Sequence, residues 1–174
     1  MKSSSYEDVV LPHLSAAYNL ARWLTRNDHD AEDAVQEACL RALRSFEGFR
    51  GGDSRTWLLT IVRNTCYTSF KRAKEAPDRF DEEVHSAVEA NPESLMLSET
   101  NSCLVKEALE ALPMEFREVI VLREMEGQSY KEIASVTGIP IGTVMSRLAR
   151  GRAALVRRLR QTMGEEPGRE LLKK

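Results

Sequence analysis

The sequence predicts an all-α protein of two small helical domains joined by a flexible acidic linker, the second domain a helix-turn-helix. Three observations carry that expectation. Apolar residues recur at helical spacing on both sides of a central stretch. That stretch, residues 74–101, sets Lys74 and Arg79 against Glu75, Asp78, Asp81, Glu82, Glu83, Glu89, Glu93 and Glu99. From Tyr130 to Arg160 the chain reads as a compact helix, a glycine turn and a second helix whose outer face carries arginines and no acids. The implied boundaries are 1–73 for the first domain, 74–92 for the linker, 93–163 for the second domain and 164–174 for a fraying tail.

In the first domain, Val9, Val10, Leu14, Ala17, Tyr18, Ala21 and Leu24 keep a helical period interrupted by Pro12, which implies one or two helices. Asn27 to Asp30 is a polar turn. Asp30, Glu32 and Asp33 then open a new helix, where acids favour the positive end of the dipole. Its buried face is expected at Val35, Ala38, Cys39, Ala42 and Leu43, and its outer face at Asp33, Gln36, Glu37 and Arg41. A loop at Arg50 to Ser54 precedes a helix from Arg55 to Arg72. Trp57, Leu58, Ile61, Thr65 and Phe70 are available there for packing. Arg63, Asn64, Thr68, Lys71 and Arg72 are available for phosphates or unstacked bases, a mixture of aromatics and cations suited to single strands.

In the second domain, Pro92 breaks the chain and a helix is expected from about Glu93. Ile133, Ala134 and Thr137 face inward from the first helix of the motif, Gly138 turns the chain, and Pro140 sits at the first position of the next helix. Ile141, Val144, Leu148, Leu155 and Leu159 form one stripe of that helix; Thr143, Ser146, Arg147, Arg150 and Arg157 lie roughly opposite. A helix held by a partner helix can enter the major groove, where arginine donors match guanine acceptors.

The overall charge excludes bulk polycation binding. With 174 residues, 42% apolar content and a net charge of -2, a real core is affordable and nucleic-acid contact must be local. Cys39, Cys66 and Cys103 are far apart, and none stands at metal-ligand spacing from His13, His29 or His85, so neither disulfides, metal nor another cofactor is expected. No nucleophile is paired with a base and no glycine-rich phosphate loop is present, which argues against an enzyme. No apolar run approaches membrane-spanning length, so a cytoplasmic protein without membrane insertion is expected.

The chain also resembles the extracytoplasmic-function sigma factors, minimal promoter-specificity subunits of bacterial RNA polymerase. The resemblance rests on Asp30-Ala-Glu-Asp-Ala-Val-Gln-Glu37 with Leu40-Arg-Ala-Leu43; Phe49-Arg-Gly with Thr56-Trp-Leu and Arg63-Asn64; Ala111-Leu-Pro; and Ser129-Tyr-Lys-Glu-Ile-Ala with Gly142-Thr-Val and Ser146-Arg147-Leu148. It implies partners that periodicity alone does not give: core RNA polymerase through its beta-prime and beta subunits, promoter DNA, and an anti-sigma factor. By this resemblance Asp33, Gln36 and Glu37 bind core polymerase, and Phe49, Arg63, Asn64 and Thr68 read a melted -10 element. Thr143, Ser146, Arg147 and Arg150 read a duplex -35 element. Thr68 stands where the family usually has Asp or Asn, and Met145 where Arg or Lys is common, so both bear on which promoter is read. The alternative is an independent helix-turn-helix regulator. Such a regulator usually binds as a dimer, yet no heptad seam is present and a monomer is expected.

Overall fold

A computed structural model describes residues 5–75 and 96–164, all of its regular elements helical. Most of the expected linker, the helix start expected at Glu93 and the tail beyond Gly164 lie outside the described residues.

Helix α1 (Tyr6–Val10) starts at a reciprocal cap: Asp8 N–H donates to Ser5 Oγ at 3.2 Å, and Ser5 N–H donates to Asp8 Oδ2 at 3.1 Å. Pro12 cannot donate a helical hydrogen bond, and the chain tightens into a 3-10 turn at Leu11–His13 before α2 (Leu14–Thr25). Asn27 then caps α3 (Asp28–Ser45), its side-chain oxygen accepting from Asp30 N–H at 3.0 Å. The polar turn is therefore shorter than expected, because Asp28 already belongs to the helix.

The buried face of α3 also differs from expectation. Ala31, Ala34, Ala38 and Ala42 are buried, Val35 and Cys39 are half-buried, and Leu43 is 54% exposed. Small residues let α2 and α4 approach α3 closely, and the volume between them is filled by Leu20, Leu24, Leu58, Leu59 and Val62 from the neighbouring helices.

Helix α4 (Ser54–Glu75) begins where Asp53 gathers the free amides. Its Oδ1 accepts from Arg55 N–H at 3.0 Å and Thr56 N–H at 3.3 Å, and its Oδ2 accepts from the Thr56 hydroxyl. The Thr56 hydroxyl bond, aided by the two amides, holds the Asp53 carboxyl below the usual range. A lowered carboxyl stabilises the fold above its unfolded pKa of about 3.9 and loses that contribution as pH falls through the folded value. Asp53→Ala is accordingly expected to cost about 1 kcal/mol at neutral pH. In thermal melts the gap between variant and wild type should close below about pH 4; a gap unchanged with pH would assign the loss to something other than the carboxylate.

The second half comprises α5 (Met96–Glu110), α6 (Met114–Ile120), α7 (Tyr130–Thr137) and α8 (Ile141–Thr162). A wide π turn at Val121–Met125 extends α6, with Glu126 N–H reaching Val121 O at 3.1 Å. Ser129 and Glu132 form a capping box at the start of α7. At its other end Gly138 takes φ 70°, a left-handed turn natural to glycine. Pro140 is the residue just before α8 rather than its first residue. Val144 and Leu148 are buried as expected and Leu155 and Leu159 half-buried, whereas Ile141 is 45% exposed.

The two halves pack on each other, α4 against α7 and α2 against α6, and the buried apolar residues form one connected cluster from Val9 to Leu148.

Candidate nucleic-acid interface

Three groups of side chains correspond to the three sets singled out in the sequence. On α3, Asp33 and Gln36 are exposed, while Glu37 is half-buried and bound by Arg41 Nε at 2.7 Å. The Arg41 hydrogen bond lowers the Glu37 carboxyl below its ordinary value. Asp33 faces His29 at 3.6 Å. One turn further on, Leu40 and Leu43 are 50% and 54% exposed, so this face offers an apolar patch beside carboxylate and amide groups. The patch was missed by placing Leu43 on the buried side; the position of Leu40, three and four residues after Glu37 and Gln36 and so on their polar face, was the available sign of it. Such a mixture fits a protein partner better than nucleic acid.

Around the start of α4, Phe49 belongs to an aromatic row. Its ring stacks 6.4 Å from Phe46 and lies tilted by 37° at 4.7 Å from Trp57, and Phe46 meets Tyr6 edge-on at 5.7 Å. Trp57 is half-buried against this row, as its size led one to expect. Asn64 is exposed, one face of its amide accepting from Arg63 at 3.4 Å. The Thr68 hydroxyl is already engaged, donating to Asn64 O at 2.8 Å. Asn64 is thus the group in this set most available to an incoming base.

Arg63 is turned away from solvent. Its Nε donates to Glu118 Oε2 at 3.0 Å and its Nη2 to Oε1 at 3.3 Å, while its guanidinium lies 3.9 Å over the Tyr67 ring. Burial alone would lower the Arg63 pKa, but the hydrogen bonds and charge of Glu118 more than reverse it. Burial, helped by the Glu118 charge, pushes the Tyr67 hydroxyl up to about 12.

On α8, Ser146 and Arg150 are exposed, Thr143 is half-buried, and the Ser146 hydroxyl donates to Thr143 O at 3.0 Å. Arg150 has no carboxylate partner among the described residues. Arg147 does: its Nη2 lies 3.8 Å from Glu115 and its Nη1 3.6 Å from Glu118. Further along, Arg157, Arg158 and Arg160 extend the exposed basic face. The helix-turn-helix therefore presents Ser146 and Arg150 at once, with Arg147 held to one side.

Sequence reasoning missed Glu118. It is fully buried at the meeting of α4, α6 and α8, where it compensates an arginine from each half. An acid in the run Phe116-Arg-Glu-Val-Ile-Val-Leu122 was the available signal, since a charge at a core register needs a partner. Neighbouring Arg117 is buried too and donates to Glu110 O at 2.7 Å; burial and the Arg26 charge push its pKa down to about 10.

Comparison with known proteins agrees with this geometry. The sigma-70 region 2 family model matches residues 9–76, the segment that holds the α3 face and the aromatic row. The sigma-70 region 4 model matches residues 104–155, which contain the helix-turn-helix. The ECF RNA polymerase sigma-E factor of Escherichia coli is 38% identical over 137 residues, covering 72% of each chain. This chain belongs to the ECF sigma factor family.

SigE of Mycolicibacterium smegmatis is 35% identical to this sigma factor over 156 residues, covering 87% of it and 60% of the relative. The chain thus spans about 60% of that relative's length. Among solved structures, the sigma factor RpoE of Bartonella quintana, determined with the anti-sigma factor NepR, matches with a TM-score of 0.71 and 31% identity. The match covers 87% of the present chain and 94% of that one. CnrH, determined with the cytosolic domain of CnrY, matches with a TM-score of 0.64 and 26% identity over 90% of the present chain and 88% of its own. No described helix of this sigma factor is long and apolar enough to cross a membrane.

Proposed function

We infer that this sigma factor binds core RNA polymerase, directs it to promoters with particular -35 and -10 elements, and assists their opening. The observation that carries the reading is the presence, in one chain, of an exposed α3 face built for a protein and a helix-turn-helix with free basic groups, each within its matching family segment. In this reading Asp33, Gln36 and Glu37, with Leu40 and Leu43, dock on polymerase. Asn64, Phe49, Arg63 and Thr68 receive the melted -10 strand. Thr143, Ser146, Arg147 and Arg150 read the -35 duplex. Unstacking a promoter base costs a few kcal/mol, which capture beside Asn64 offsets. The chain works in the cytoplasm as a monomer when free, and an anti-sigma factor holds it inactive, as the solved pairings of RpoE with NepR and CnrH with CnrY suggest. No catalytic step is assigned to it.

The deciding experiment mixes the purified protein with bacterial core polymerase and a genomic promoter library. Comigration on a sizing column together with transcripts that core alone does not make is the expected result. A folded protein that binds duplex DNA alone and ignores polymerase would overturn the reading in favour of an independent regulator.

Two variants divide the labour. Gln36→Lys combined with Glu37→Lys should abolish comigration without changing helicity, since two cations then occupy the docking face; normal holoenzyme formation would remove these residues from it. Arg150→Ala should weaken -35 duplex binding by roughly 1–3 kcal/mol if the contact is bidentate to a base. Unchanged affinity would take Arg150 off the reading face.

A further inference from the structure

The first turns of α8 leave an apolar row in the open. Ile141 and Met145 are 45% and 52% exposed and Ala149 is exposed, each four residues after the last and so on one side of the helix. Ser146 and Arg150 follow Met145 and Ala149 by one residue and form a polar row beside it. The seating of α8 does not use this apolar row, because Val144 and Leu148 supply the buried contacts. A lone exposed apolar side chain is ordinary on a protein surface. Here three stand together, on the turns that carry the groups proposed to read the -35 duplex.

We propose that Met145 sets base specificity in the -35 contact by selecting the 5-methyl group of a thymine. The proposal rests on the reading of α8 as the -35 helix. A thioether has no proton to donate and is only a weak acceptor, so Met145 cannot engage guanine acceptors or a phosphate as an arginine or lysine does. Among the groups that base pairs present in the major groove, the thymine methyl is the apolar one. Against cytosine the same side chain loses the methyl contact. Against a purine it covers N7 and leaves that acceptor without a partner. Side chains one turn apart stand about 5–6 Å from each other, more than the rise of about 3.4 Å per base pair, so Met145 meets one base pair and Ala149 a different one. The unbranched, flexible Met145 reaches out to its base, while the short Ala149 lets the helix approach closely. Such a contact releases no counterion, so Met145 adds selectivity without adding salt dependence.

The test uses holoenzyme assembled from the full chain and core polymerase, with a promoter duplex recovered from the genomic library. Each thymine of the -35 element, on either strand, is replaced in turn by deoxyuridine, which lacks the methyl group and keeps every hydrogen-bonding group. At one position the replacement should weaken wild-type binding by roughly fourfold, the worth of one buried methyl. M145A should bind the thymine duplex more weakly and show no further loss on that replacement. M145L still offers an apolar side chain and should keep the loss. The slope of affinity against salt should be the same in M145A as in wild type. If M145A loses helicity by circular dichroism, M145Q, polar at a similar length, takes its place.

A wild type indifferent to every deoxyuridine duplex would overturn the role of Met145, as would a loss that M145A retains in full or a -35 element without thymine. Transcription in the same preparation separates the two ideas. Initiation with no methyl effect at any position removes the thymine assignment and leaves the proposed function. Absent initiation removes the functional reading, and Met145 with it.

Discussion

Leu20→Ala is expected to cost about 4 kcal/mol, near the upper end for truncating a buried leucine. The reason lies in the helix opposite. Leu20 is fully buried on α2, and the inward positions of α3 are Ala31, Ala34, Ala38 and Ala42, each already at its minimum size apart from glycine. Alanine methyls on a rigid helix have no rotamers with which to fill a hole. The remaining filler, Leu24, Leu58, Leu59 and Val62, is buried and already packed. The cavity should therefore persist, and its full volume counts against the fold. For a chain of this size each kcal/mol lowers the melting temperature by roughly 2–4 °C, giving a drop of roughly 8–16 °C. A calorimetric scan checks it. A drop of only a few degrees would mean that α2 and α4 close over the gap, contrary to the rigid alanine face.

That alanine face also shows where the sequence was legible and where it was not. The 3.6-residue period located α2, α3, α7 and α8, because polar and apolar residues segregate along each; α4 segregates them only weakly, and its place came from the packing residues that follow the loop at Arg50 to Ser54. Gly138 and Pro140 marked the turn of the helix-turn-helix, since few residues other than glycine accept a left-handed turn readily. On α3 the period left the phase ambiguous. Alanine contributes little hydrophobic contrast, so Leu43 drew the expected core toward itself, and the structure instead turns Leu40 and Leu43 outward. On α8 the phase was right, with Val144 and Leu148 buried, and only Ile141, the first residue of the helix, stands exposed.

The charged contacts were illegible for a different reason. Arg63 and Glu118 are 55 positions apart, and either could have been a surface group by composition. What makes them partners is the packing of α4 against α7 and of α6 against α8, which periodicity within single helices does not encode. Site residues exposed on one helix, such as Gln36, Asn64, Ser146 and Arg150, were therefore found in the expected state. Arg63 and Arg147 were expected in the same exposed state and instead share a buried acid.

Gly151→Leu is the second large effect, and it couples stability to reading. Gly151 is buried where α8 crosses α6, and a Cβ there would stand 2.9 Å from Ile120 Cδ1 and 3.2 Å from Phe116 Cβ. The first contact involves the end of a side chain that can rotate. The second involves an atom bonded to the α6 backbone, which moves only if the helix moves. Gly151→Ala therefore gains up to about 1 kcal/mol of helix propensity and loses a similar amount to crowding, for a net change near zero. Leucine adds the rest of a branched side chain at the same crossing, and a loss of about 3 kcal/mol is expected. Because Val144 and Leu148 seat the start of α8 through the same packing, relief of the clash would tilt Ser146 and Arg150 out of the position proposed for reading the -35 duplex. G151L should then lose -35 duplex binding while the α3 face still associates with core polymerase. Thermal melts and the two binding assays measured on one preparation test this chain of causes. A G151L protein as stable as wild type would show that α6 and α8 do not meet at Gly151, and full duplex binding in a destabilised G151L would show that the reading face tolerates the tilt.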